Sequence, residues 1–229
     1  MKFLRTLLLI GCVAFLPASG RGQSTATPYP TMAPIEQYRM PRAAEIALAK
    51  SAAPVAISAD ADILVLGAAG YETAIKGTNG FVCLVERSWA NDFGKADFWN
   101  PKNRGPICYN PAAARSVLPT YLTKTTWVLA GVSEAEMAER SPQPSGVPAP
   151  EVGAMGYMLS PGGYLGDDVK GPWHPHLMFF LPRTPAAAWG ADLEHSPVLL
   201  LSAASAALAV FVVPVSRWAD GSPDSTRRE

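Results

Sequence analysis

His174-Pro175-His176 is the local pattern with the clearest chemical use. Alternate residues of an extended segment point to the same side, so two imidazoles two positions apart can meet one metal ion. His195 is the candidate third ligand, and Glu72, Glu86, Asp167 or Asp168 can serve as a carboxylate ligand or base. Zn and Cu are the ions that suit imidazole ligands of this kind. The spacing to a third ligand is not diagnostic, unlike that of HExxH. Two histidines hydrogen-bonded to backbone at the start of a strand have the same sequence.

Other residues offer weaker patterns. Ser160, with His174 or His176 and Asp167 or Asp168, supplies the parts of a hydrolytic triad, but Met158-Leu159-Ser160-Pro161-Gly162 lacks the first glycine of the GxSxG elbow. Gly162-Gly163 and Gly77-Thr78-Asn79-Gly80 read as turns, because neither matches a phosphate loop or a dinucleotide fingerprint. Six tryptophans and seven tyrosines can line a groove for an envelope glycan or a peptide, with Trp99 and Trp173 as the candidate contacts.

The elements that must position these residues are legible along the chain. Residues 21–40 are irregular and rich in Ser, Thr and Pro, and a helix is expected over 41–52 with Pro41 at its start. Strands are expected over 62–66, 71–76 and 81–87. Asn79-Gly80 is a hairpin signal between the last two. The third is apolar on both faces and so central in its sheet. Residues 89–109 read as loop. Asn110-Pro111 then opens a helix that Pro119 interrupts, a second helix covers 121–130, and Ser133 to Glu136 is a capping box. The proline-rich stretch 141–150 is a loop or lid, followed by strands over 154–159 and 177–181. Together these give a single α+β domain over 41–221, mainly an antiparallel sheet with a central helical insertion, and a tail at 222–229.

The chain has 229 residues, with 19 bases against 19 acids, 48% hydrophobic and 17% charged residues. That balance excludes a nucleic-acid binder acting through bulk positive charge, and so much apolar content excludes wholesale disorder. At the N-terminus, Lys2 and Arg5 precede an apolar run to Leu16, with Ala18 and Gly20 as the small residues of a cleavage site. This is the secretory signal pattern over 1–20, and it directs the chain to the periplasm or the exterior. Leu9-Ile10-Gly11-Cys12 offers the alternative of a lipid anchor at Cys12. Cleavage after Gly20 leaves two more acids than bases, and leaves Cys83 and Cys108 as the only cysteines. In an exported chain such a pair reads as a disulfide, stabilising by roughly 3.5 kcal/mol in the chain-entropy model. The uncharged run 198–213, from Val198 to Val213, is expected as two buried strands joined by an Ala/Ser turn, the alternative being a membrane span.

Three stretches carry a resemblance. They are Gly77-Thr78-Asn79-Gly80-Phe81-Val82-Cys83-Leu84-Val85-Glu86-Arg87, Pro106-Ile107-Cys108-Tyr109-Asn110-Pro111 and Trp173-His174-Pro175-His176-Leu177-Met178-Phe179-Phe180. Together they resemble an uncharacterised family of exported bacterial proteins over roughly Glu45 to Gly221. The resemblance implies a bacterial, exported, single-domain protein and assigns no activity and no site residue. The resulting expectation is a non-catalytic binding or structural module. The alternative is a metal-dependent hydrolase centred on His174 and His176.

Overall fold

The computed structural model describes residues 28–141, 148–166, 174–201 and 208–225. The signal segment with Cys12, most of the proline-rich loop, and Asp167, Asp168 and Trp173 fall outside them. Eight strands follow in chain order: β1 Asp62–Leu66, β2 Tyr71–Ile75, β3 Val82–Glu86, β4 Gly105–Tyr109, β5 Met155–Met158, β6 His176–Pro182, β7 Leu199–Leu200 and β8 Leu208–Pro214. They form one sheet in the order β2-β1-β3-β4-β5-β6-β8-β7. Every neighbouring pair is antiparallel except β1 and β3. The helices are α1 Arg42–Lys50, α2 Val55–Ser58, α3 Pro111–Ser116, α4 Leu118–Leu129 and α5 Glu134–Arg140. The last three form the expected insertion between β4 and β5, and the class is α+β.

Alternation along β3 divides the interior. Leu84 faces a core with Tyr109, Ile107, Phe180 and the buried sides of α3 to α5, including Tyr121, Val128 and Met137. Cys83 and Val85 face the other way, against Ala49, Ala52, Ala53 and Ala61. Alanines there let α1 lie close to the sheet, where larger side chains would hold it away. Burial on both faces is what the unbroken apolar sequence of β3 requires. Cys83 stands directly opposite Cys108 on β4, with Cα atoms 4.0 Å apart and the sulfurs bonded.

The helical insertion follows its local chemistry. Asn110 caps α3 by accepting from Ala113 N–H at 2.9 Å, and Pro111 takes an early position where its missing N–H costs nothing. The same amide accepts from Met155 N–H at 3.1 Å, which ties the helix cap to β5. The break falls at Val117 rather than Pro119, because proline is tolerated in the first turn of α4. Ser133 caps α5 by accepting from Glu136 N–H at 3.2 Å.

Several expectations are corrected. Asn79-Gly80 does not close a hairpin between β2 and β3. The hairpin is β1–β2, turned at Gly67–Gly70, and β3 lies on the far side of β1. Gly77 makes that crossing feasible, since a Cβ there would sit 2.2 Å from Asp60 O. Asn79 instead accepts from Phe81 N–H at 3.0 Å and donates to Ile57 O at 2.8 Å, while Gly80 takes φ 78° to turn the chain into β3. Part of the expected loop 89–109 is the fully buried strand β4. Pro106 is acceptable there because pairing with β5 begins only at Cys108. The packed unit also exceeds 41–221. Tyr38 is fully buried and donates to Trp99 O at 2.8 Å, and Asp224 in the expected tail is buried.

Residues of the C-terminal apolar run form β7 and β8, as the two-strand reading expects. Among the described residues no helix is long and apolar enough to cross a membrane.

Candidate functional site

The two histidines mark the start of β6. His176 pairs with Met158 of β5 on one side and Pro214 of β8 on the other, and His174 lies two residues before it. Beyond β8 the chain turns back on itself. Trp218 N–H donates to Ser222 O and Asp224 N–H to Ser216 O, each at 2.9 Å. That reversal delivers the Asp224 carboxylate to His174, with Oδ2 2.6 Å from Nδ1. The Asp224 side chain is fully buried, whereas that of His174 is 37% exposed. An ionised carboxylate only accepts, so it holds the imidazole as the Nδ1–H form and fixes its plane.

His176 is tied in a similar way. Its Nδ1 donates to His174 O at 2.8 Å, because a carbonyl has nothing to donate. Burial pushes its pKa down, so the ring stays neutral at neutral pH. Both rings therefore have Nδ1 engaged by oxygen, and any metal or proton exchange runs through Nε2. That is the arrangement in which outer acceptors hold metal-bound imidazoles.

The other expected ligands lie elsewhere. His195 sits on the connection into β7 with its side chain 90% exposed and Glu194 at 3.4 Å. Glu72 pairs with Arg42 at the far edge of the sheet. Among the described residues no group of three or more His, Cys, Asp and Glu side chains is placed to hold a metal ion. Ser160 is buried, with Oγ 2.6 Å from Ser51 Oγ and accepting from Gly162 N–H at 3.2 Å. Those bonds secure the end of α1 to the turn after β5. Trp99 is buried edge-on against Phe98, with ring centroids 4.7 Å apart, and so fills the core rather than a surface groove.

Asp224 is the residue that sequence reasoning missed. It lies in the polar stretch after β8, within the tail expected over 222–229. Only the return of the chain after β8 brings it under His174, and no local pattern encodes that return.

Glu86 belongs to a different cluster. Its carboxyl accepts from Tyr109 Oη–H inside the α3–α5 side of the sheet. Burial pushes its pKa up to about 7, against the Tyr109 hydrogen bond and the Lys124 charge that favour ionisation. Between pH 4.5, its ordinary value, and about 7 the folded chain keeps a proton that the unfolded chain gives up. Stability is therefore greatest below that window and falls as pH rises through it, by about 2–3 kcal/mol. Glu86→Gln keeps the Tyr109 bond and has no proton to lose. Urea unfolding at pH 5 and pH 8 should show the variant gaining on the wild type by about that amount at pH 8. An equal difference at both pH values would mean an ordinary carboxyl.

No family model, curated protein or solved structure matches the chain.

Proposed function

We propose that this is an exported bacterial protein of the periplasm or exterior that acts as a non-catalytic binding module, with its ligand-facing centre at the start of β6. The carrying observation is the half-exposed His174 held at 2.6 Å by the fully buried Asp224. Fixing an imidazole so that one nitrogen is committed inward makes the outward side a directional hydrogen-bonding group. An envelope glycan or a peptide, rich in hydroxyls and amides, is the matching ligand class. Export is supported by the N-terminal signal pattern and by the Cys83–Cys108 bond, which suits an oxidising compartment.

The test is an NMR titration of protein made in an oxidising compartment with soluble muropeptides. Saturable shifts at His174 and its neighbours are expected, and they should be lost in His174→Gln, whose amide still donates to Asp224. No shift at millimolar muropeptide would end the glycan or peptide reading.

A metal-dependent hydrolase is the second reading, favoured by the oxygen acceptors on both Nδ1 atoms. Zn or Cu would meet Nε2 of His174 and of His176, and the described residues supply no third ligand beside them. Stoichiometric metal that is lost in the His174→Ala, His176→Ala double variant would support it. A metal-free wild type of full stability would end it.

A further inference from the structure

The sheet ends in β2 on one side and β7 on the other, and a side chain closes the β7 edge. In the pairing with β8, Leu199 and Leu200 stand opposite Val212 and Phe211, and Leu201 N–H donates to Val210 O at 2.9 Å. Bonds alternate along an antiparallel pair. Leu199 and Leu201 therefore bond inward to β8, while Leu200 turns its N–H and C=O to the free edge, as Val198 does.

Asp192 occupies that edge. Its N–H donates to Val198 O at 3.0 Å, and its Oδ1 accepts from Leu200 N–H at 3.2 Å. One residue of a parallel strand lying opposite Leu199 would make the same two bonds, with its carbonyl where the carboxylate stands. The Asp192 backbone takes φ 58°, which aspartate tolerates better than most residues. The connection that carries it is fixed on the sheet. A helical turn at Ala186–Trp189 follows β6, and Trp189 stacks on Phe211 of β8 with ring centroids 4.7 Å apart. The same ring lies 5.6 Å from Phe179 of β6. Ala191 is buried, and its N–H donates to Ala186 O at 3.0 Å.

We propose that Asp192 is a guard, which keeps this chain from joining a second copy of itself edge to edge along β7. A two-fold axis at Leu200 makes the two strands antiparallel, and each Leu200 N–H then meets the C=O of the other. The same register sets Leu199 of one copy beside Leu201 of the other. Those residues are 42% and 56% exposed, so the pairing covers apolar surface that is open to water in the single chain. A second copy fits this edge because its backbone groups and its leucines are complementary to themselves. The carboxylate stops the pairing by taking the Leu200 N–H, the donor at the centre of that register.

The test is sedimentation equilibrium of the full chain, made in an oxidising compartment, at about 0.5 mM, where weak edge pairing becomes visible. Wild type and Asp192→Asn, whose amide oxygen still accepts, should sediment as monomers. Asp192→Gly accepts the same backbone conformation and loses the acceptor, so its average mass should rise towards that of a dimer. Adding Leu201→Lys, at a position already exposed, should return it to monomer, because a charge replaces apolar contact at the edge. A wild-type dimer, a monomeric Asp192→Gly of native circular dichroism, or a dimer that survives Leu201→Lys overturns the proposal. Amide exchange of the wild type needs no variant. Leu200 N–H should exchange at least about tenfold slower than an open amide, and exchange at the open rate overturns the guard.

Discussion

Arg87→Met lowers the free energy of unfolding by about 3–5 kcal/mol. Arg87 follows β3 with its side chain fully buried, and Nη2 donates to Glu45 Oε1 of α1 at 2.8 Å. Its Nε donates to Tyr38 O at 2.7 Å, and Nη1 donates to Val85 O. Glu45 Oε1 also accepts from Leu66 N–H at 3.1 Å, at the end of β1. One guanidinium thus ties the segment before α1, the helix itself and the sheet together. Methionine fills much of the volume but leaves the buried Glu45 carboxylate with Leu66 N–H in place of a countercharge, and takes the Arg87 donors from Tyr38 O and Val85 O. The penalty is the desolvation of those groups rather than the value of one ion pair. A double variant, Glu45→Leu with Arg87→Met, removes the stranded carboxylate and should be less destabilised than the sum of its single changes. Urea unfolding of the four proteins reads both quantities. A loss below about 1 kcal/mol for Arg87→Met would show that water reaches the site.

That node was not visible in the sequence, and the reason is physical. Glu45 occupies the first turn of an expected amphipathic helix, where an acid ordinarily faces water and favours the helix dipole. Its partner lies forty-two positions away. What could be read were features decided within a few residues. Residues 63–66 are apolar between turn signals, Asn110-Pro111 carries its own cap, and Ser133 sits at a helix start. The Asn79-Gly80 signal was local as well. It named a turn correctly and its partner strand wrongly, because the chain after β2 crosses back to pair β3 in parallel with β1, leaving β2 at the edge of the sheet. β4 was hidden because Gly105 and Pro106 open it, and both disfavour strand until neighbours supply the sheet. The candidate site divides the same way. His174 and His176 stand out by spacing, whereas Asp224 is joined to them by a chain reversal that follows the last strand.

Replacing both cysteines by alanine should lower the unfolding free energy by about 2–5 kcal/mol, with roughly 3.5 kcal/mol expected from loop closure alone. The bond closes a segment with a sequence separation of 25, which includes Trp89, Phe98 and Trp99, all buried in the core. Without the bond, the unfolded chain regains the freedom of that whole segment, and the folded chain must reorder three large aromatics on regaining its structure. The alanines also lose two buried sulfurs between β3 and the layer of α1, though the small cavities add less than the lost cross-link. Both cysteines are fully buried at directly opposed positions in the middle of the sheet. Thiol reagents therefore reach the bond only when β3 and β4 separate. Native protein should resist dithiothreitol over a time in which protein in urea is reduced completely, as read by alkylation and mass. Rapid reduction of the native protein would show that this part of the sheet opens locally. A double alanine variant as stable as the oxidised wild type would show that the segment is already restricted in the unfolded chain.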